Sequence, residues 1–418
     1  MLGKRGEPFG GNDLSSGRHE AGRDEYRSSF LEDIERELSV LARQGRQRAL
    51  RQVSGPQETE IVIDKRRLLN FSSNNYLGLA SHPEVVEAFK RYAHRYGFGA
   101  GASRLIGGNM DVHAELEESI ARFKGSEASL TFSSGYLANI GILGTLGSPD
   151  AMIFSDELNH ASIVDGCRLS RAGVAVYRHA DANHLEHLLK ASSARRKIIV
   201  TDGVFSMRGD IAPLPELVAI KKRYGALLVV DDAHATGVLP PRGRGSADYF
   251  GLSGEIDIEM GTFSKAIGAY GAYICGSRTI IDYFVNRCRT FIYNTGLPPA
   301  VAGATLKSIE LLSGRPELLS SLWKNQELFR RKMEERGRKV SSLTAIVPVL
   351  VGTDRETMTV SMKLYERGLF ISGIRPPTVP EGEGQLRVSL MATHTEEMLE
   401  KAVCGIDQTL QEEGIERY

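Results

Sequence analysis

The run ALLVVDDAHATGV at residues 226–238, followed by IEMGTFSKAIGAYGAYICGS at 258–277, decides how the chain is read. Residues 226–230 are short, apolar and rich in β-branched side chains, the pattern of a buried strand. That strand closes on Asp231 and Asp232, with His234 just beyond. Open α/β sheets gather ligands at the carboxyl ends of their strands, so these acids stand where a site forms. A second strand, Ile258–Gly261, ends at Thr262, Ser264 and Lys265. The small residues that follow (Ala266, Gly268, Ala269, Gly271, Ala272) leave backbone room for a bulky planar group.

An Asp, a His, a hydroxyl pair and one Lys therefore converge on a strand-end crevice. A desolvated lysine has a lowered pKa and is a good Schiff-base nucleophile. A carboxylate facing a pyridine nitrogen keeps that nitrogen protonated and makes the ring an electron sink, which is the protein's share of pyridoxal phosphate (PLP) chemistry. Two plainer readings stay open at this point: a lysine paired to surface carboxylates, and an aspartate capping a helix.

Upstream, strand and helix patterns alternate. Strands are expected at 128–132, 152–154, 174–177 and 197–201, with helices near 137–146, 161–170, 185–189 and 214–224. The expected fold is α/β, a mostly parallel central sheet with helices on both faces. The turn Ser133-Ser134-Gly135-Tyr136 feeds a helix N-terminus, where unpaired amides and the dipole favour a phosphate. Many strand–helix turns look like this and hold nothing. His160, in Asn159-His160-Ala161-Ser162, falls at the same sheet edge, although a lone histidine is more often a surface or core residue. The glycine-dense GFGAGASRLIGG (97–108) lacks dinucleotide-fingerprint spacing and reads as a close-approach loop.

The expected organisation is a mobile tail over 1–27, a helix and strand segment over 28–70, a large domain over 71–300 and a smaller α+β domain over 301–418. The helix is expected from Ser29 to about Arg51, on Leu31, Ile34, Leu38, Leu41 and Leu50. Beyond residue 300, helices at 306–312, 319–337 and 396–410 flank strands at 345–350, 369–371 and 386–390. This part brings Arg375 and Arg387 forward. A planar guanidinium suits a carboxylate, although both could simply pair with local acids.

Lys plus Arg (52) equals Asp plus Glu (52), so no net field favours nucleic acid or an anionic membrane. No apolar run approaches a membrane span, and the first residues lack a signal-peptide core. Cys167, Cys275, Cys288 and Cys404 are scattered without a C-x-x-C pair, which points to buried reduced thiols and a cytoplasmic enzyme. Asp231, Asp232 and His234 lack further ligands at metal-site spacing, so no metal is expected.

An ordered set of segments resembles the α-oxoamine synthase group of fold-type I PLP enzymes. It comprises NFSSNNYLGL (70–79), GAGASRLIGG (99–108), FSSGYLANIG (132–141), LNHASIVDG (158–166), TDGVFSMRGD (201–210), VDDAHATGV (230–238), TFSKAIGAYG (262–271), IRPPTVP (374–380) and LRVSL (386–390). The resemblance runs from about Leu41 to near the C-terminus. It implies PLP held covalently on Lys265, with Asp231 at the ring nitrogen. It places His234 and Ser206 on the ring hydroxyl, and His160 against the ring and the incoming amino acid. Gly135, Tyr136 and Thr262 are implied for the phosphate, with Ser264 assisting and Thr295 reaching the phosphate of a second subunit. On the substrate side it implies Arg51, Arg387 and Thr378, with Asn74 and Arg375 as neighbours.

IRPPTVP is similar to the branch that joins L-alanine to a pimeloyl thioester, carried by CoA or by acyl carrier protein (ACP), with loss of carbon dioxide. The alternative is a sibling activity such as glycine C-acetyltransferase. A homodimer is implied as well. A PLP-binding regulator would need a DNA-binding domain, for which the N-terminal segment has no helix-turn-helix pattern. The chain departs from the group's pattern in a longer N-terminus and in Arg208, which stands where an acid is common.

Overall fold

The computed structural model describes residues 17–415 of the chain. Two compact units separate after Arg51. The first holds a helix, Gly17–Arg43, which starts well before Ser29 and stops short of Arg51. Its early start falls in the stretch read as a tail; residues 1–16 lie outside the described residues. Glu, Ala and Arg at residues 18–27 are adequate helix formers even without apolar periodicity. The end is set by Gly45 at φ 67°, with the Arg46 amide bonding back to the Leu41 carbonyl at 2.8 Å.

The second unit is built on a central sheet of seven strands: β1 (Ala128–Phe132), β2 (Ala151–Asp156), β3 (Gly173–Tyr177), β4 (Arg196–Asp202), β5 (Leu227–Asp231), β6 (Ile258–Thr262) and β7 (Ala272–Gly276). Their spatial order is β1-β7-β6-β5-β4-β2-β3. All run one way except β7, which pairs antiparallel with both β1 and β6. Strand β7 escapes the sequence pattern because AYICG follows directly on a glycine-rich turn and carries no alternation. Inner strands β5 and β6, and edge strand β1, are buried on both faces over almost their whole length, as apolar runs without alternation require. In β5, Val229 enters the core on one face while Leu228 and Val230 enter the core on the other.

A three-stranded antiparallel sheet forms later in the chain, with Gly384–Ser389 between Ile346–Gly352 and Ser372–Ile374. Helix Asp354–Glu366 packs on it. The sequence patterns do not mark this helix, though Thr353 and Glu356 form a capping box at its start. Near the glycine-dense loop, the Ser103 carbonyl accepts from the amides of Ile106, Gly107 and Gly108. A Cβ on Gly108 would lie 2.0 Å from the Ala102 carbonyl oxygen, so only glycine fits that approach. No helix among the described residues is long and apolar enough to cross a membrane. The four cysteines are free; Cys404 is half-buried rather than buried.

Candidate active site

Three strand ends make the site. Asp202 ends β4, Asp231 ends β5 and Thr262 ends β6, with Asp202 in register beside Asp231. The loop after β6 carries Ser264 and Lys265. Facing them are the first residues of helix α1 (Gly135–Leu146) and of helix α2 (Ala161–Leu169). Together they line a cavity of about 240 Å³ bounded by Gly135, Tyr136, His160, Asp231, His234, Thr262, Ser264 and Lys265.

Within it, Asp231 is anchored by two donors, Asn139 Nδ2 at 2.7 Å and the Ala233 amide at 2.8 Å. Burial raises its pKa from the ordinary carboxylate value, while Lys265 and the two donors pull it back. Burial and the neighbouring Asp231 push Asp202 much further up, since among the described residues the one donor to its carboxyl is the distant His160 amide at 3.4 Å. Of the two acids Asp231 is therefore the one built to stay ionised. Lys265 is pushed down to about 8, first by burial and also by the Arg387 cation, against Asp231 and Asp202. A pKa that low leaves a usable fraction of free amine near neutrality.

His234 is buried, and burial plus the cations Lys265 and Arg387 hold its pKa well down, so its imidazole is neutral. Its Nδ1 lies 2.8 Å from the Tyr76 hydroxyl. His160 caps α2: Nδ1 accepts from the Ser162 amide at 3.2 Å, and burial lowers its pKa. In α1 the amides of Gly135 and Tyr136 belong to the first turn, which has no intrahelical acceptor for them. Thr262 Oγ1 lies 2.7 Å from Ser264 Oγ.

Arg387 adjoins this cavity from strand Gly384–Ser389. Its Nε donates to the Ser206 carbonyl at 2.6 Å, Nη1 to Asn74 Oδ1 at 3.2 Å and Ser389 Oγ at 2.8 Å, and Nη2 to Tyr76 Oη at 3.4 Å. The structure thus joins Arg387, Asn74 and Ser206 to the lysine cavity. Within the second unit it does not bring Thr378, Arg375 or Thr295 into the cavity lining. Thr378 is exposed, Arg375 donates to Met358 Sδ at 2.6 Å, and Thr295 is exposed, its backbone bridged to Ser103. Arg51 is exposed at the end of the first unit.

Sequence patterns do not single out Tyr76, Asn139 or Asp202. Asn139 had a signal: it is the lone amide in the apolar helix GYLANIGILGTL, and a buried amide needs partners.

The profile of the aminotransferase class I and II family matches residues 66–406. An 8-amino-7-oxononanoate synthase from Geobacter sulfurreducens is 50% identical over 384 residues, covering 91% of this chain and 98% of its own. The chain belongs to the 8-amino-7-oxononanoate synthase family. A solved family member, from Francisella tularensis, is 30% identical with a TM-score of 0.72, covering 83% of this chain and 99% of its own. Serine palmitoyltransferase from S. paucimobilis, solved with a PLP–myriocin compound bound, is also 30% identical, with a TM-score of 0.87 and coverages of 93% and 99%. Backbone likeness therefore does not rank the two activities; the 50% identity to the Geobacter sulfurreducens synthase does. The fold is PLP-dependent transferase fold type I, and the enzyme is PLP-dependent. The donor set in the cavity fits PLP: one amine of lowered pKa, one anchored carboxylate, and first-turn amides beside two hydroxyls.

Proposed function

We propose that the enzyme condenses L-alanine with a pimeloyl thioester, pimeloyl-ACP or pimeloyl-CoA, to 8-amino-7-oxononanoate, carbon dioxide and the free thiol carrier, in biotin biosynthesis. The observation that carries this is a lysine of lowered pKa sharing one cavity with an anchored aspartate and adjoining Arg387, in a chain half identical to a named synthase.

Lys265 would hold PLP covalently and Asp231 would face its ring nitrogen. His234 and Ser206 would meet the ring hydroxyl, and His160 would stack on the ring. The amides of Gly135 and Tyr136, with Thr262 and Ser264, would take the phosphate. Bound PLP supplies an electron sink for the charge left at the alanine α-carbon.

The chain's own residues do the rest. Among the described residues, four of the five N–H donors of Arg387 are engaged, which leaves an Nη2 hydrogen for the alanine carboxylate. Once alanine has displaced it, Lys265 is an amine of pKa about 8 and takes the α-proton as general base. Asp231 stays a carboxylate and holds the ring-nitrogen proton. The alanine carbon attacks the thioester carbonyl, the thiol leaves, and the alanine carboxyl departs as carbon dioxide. Lys265 then returns the proton to the same carbon. His160 donates to the acyl oxygen where charge develops.

Arg51, Thr378 and Arg375 belong to the substrate side of this reading. Thr295 reaches the phosphate of a second subunit in a homodimer, residues 71–300 form the cofactor domain and 301–418 the small domain, and the enzyme is cytoplasmic.

The test is thiol release from pimeloyl-CoA, and separately from pimeloyl-ACP, by the PLP-loaded enzyme with L-alanine or glycine. Release with alanine is expected. Release with glycine alone would move the enzyme to a sibling activity, and release with neither donor would remove the reading.

A further inference from the structure

His179 stands just past the end of β3, outside the cavity lining. Its Nδ1 lies 3.1 Å from Asp156 Oδ1 and its Nε2 2.6 Å from Asp210 Oδ2. Ionised carboxylates only accept hydrogen bonds, so both ring nitrogens carry hydrogen and the ring is an imidazolium. Burial works against that charge, but the two carboxylates outweigh it and raise the pKa to about 9. The ring meets Phe205 edge-on, with centroids 4.4 Å apart.

The two acids are held differently. Asp156 is fixed: it ends β2, is buried, and also accepts from the amides of Leu158 and Ala180 at 2.9 and 2.8 Å. Asp210 closes a hairpin, through Phe205 N to Asp210 O at 3.0 Å and Gly209 N to Phe205 O at 2.8 Å. Its Oδ1 is buried with no hydrogen-bond partner among the described residues, so the carboxylate leans on His179. The hairpin carries the Ser206 carbonyl that receives Arg387 Nε.

We propose that His179 is a positioning residue, a charged strap from Asp156 to Asp210 that sets the Ser206 carbonyl and, through it, the Arg387 guanidinium that binds the amino-acid carboxylate. The proposal rests on the reading of Arg387 given above. It gives the Val204–Ile211 hairpin a task distinct from holding the cofactor.

The experiment titrates L-alanine into the PLP-loaded enzyme without acyl donor and reads the absorbance of the bound cofactor. Wild type, His179→Gln, Asp210→Asn, the double variant and Arg387→Ala are compared. The alanine Kd is expected to rise between about 3- and 30-fold in each strap variant, with PLP content and kcat at saturating alanine little changed. The double variant should bind no more weakly than the worse single one, because one link is lost only once. Amide hydrogen exchange at Phe205 and Gly209 should quicken in His179→Gln. If that variant does not fold, Asp210→Asn, on the more exposed side of the pair, carries the test. An unchanged alanine Kd in a folded strap variant, with binding lost in Arg387→Ala, would overturn the strap. Normal alanine binding in Arg387→Ala would instead fault the substrate reading and sever the link to Arg387. Unchanged exchange would then remove the strap as well.

Discussion

Asp231 and Asp232 are neighbours in the chain, and each faces a different buried lysine. Asp231 looks into the cavity, where Lys265 has its pKa pushed down to about 8. Asp232 looks into the core, where Lys124 Nζ sits 3.0 Å from its Oδ2 and 2.7 Å from Glu259 Oε2. Burial opposes the charge on Lys124 too, yet Glu259 and Asp232 win and raise its pKa well above the ordinary value. Ser246 donates to Asp232 from both its amide and its hydroxyl, and a Cβ on Gly245 would lie 2.0 Å from Asp232 Oδ2. Desolvation acts on both lysines. What separates a reactive lysine from a structural one here is contact with carboxylates: Lys124 touches two, while the acids of the cavity act on Lys265 from a distance. The donors Asn139 and Ala233 occupy Asp231 and leave it less free to pair with the lysine.

The largest contrast comes from deleting each lysine. Lys265→Ala should lower turnover on the order of 10⁴-fold or more, since the proposed base and the proposed covalent anchor vanish together. Its unfolding free energy should hold or improve, because a desolvated amine with no hydrogen-bond or ion-pair partner among the described residues is lost. Wild-type turnover in that variant would end the proposed chemistry. Lys124→Met should do the reverse in kind. It leaves Asp232 and Glu259 buried without their cation and costs about 3–5 kcal/mol in urea unfolding. An unchanged urea midpoint would show that the core pair carries no such weight.

A smaller effect separates the lysines by pH. In the proposed chemistry the free Lys265 amine is the species that captures PLP, so uptake by the apoenzyme should rise with pH, pass half its plateau near 8 and level off above. At pH 7 the rate should be about a tenth of the plateau, from the ordinary titration of one group. Stopped-flow absorbance on mixing apoenzyme with PLP reads this directly. A half-rise near 10 would mean that burial does not lower the Lys265 pKa.

These contrasts also mark what the sequence could disclose. Lys265, Asp231 and His234 are legible because each follows a short apolar run that announces a strand end. Arg387 is legible as the one charge in the alternating strand LRVSL. Its acceptor, the Ser206 carbonyl, lies 181 residues away, and no local pattern records that meeting. The same holds for Lys124, which reads as an ordinary basic end to a helix and proves buried against Asp232, 108 residues on. Asp202 sits inside a segment that resembles the family, but its significance comes from register with Asp231 across two strands. Strand β7 and helix Asp354–Glu366 lack periodicity strong enough to mark them, and their places are set by the sheets they complete.

The finest test of the comparison lies in the donors that hold Asp231. Asn139 Nδ2 bonds Asp231 Oδ2 at 2.7 Å and Ser162 Oγ at 2.8 Å. Asn139→Ala removes one charge-assisted hydrogen bond to the carboxylate, an interaction of about 1.5–3 kcal/mol, or about 1–2 pKa units. Burial already raises the Asp231 pKa, so losing a donor moves it further in the same direction. The ionised form, which the proposed contact with the ring nitrogen needs, then fails at higher pH. Exchange of the alanine α-proton into deuterated water, measured without acyl donor, should therefore show, beneath the limb that Lys265 sets near 8, a second acid limb that comes about one unit earlier than in wild type as pH falls. The plateau above pH 8 should stay near that of wild type. Ser162→Ala, which takes away the other partner of the same amide, controls for disturbance of the His160 cap. An acid limb that stays in place in Asn139→Ala would mean that Ala233 alone holds Asp231, and that the pairing of an anchored aspartate with a contact-free lysine does not depend on α1.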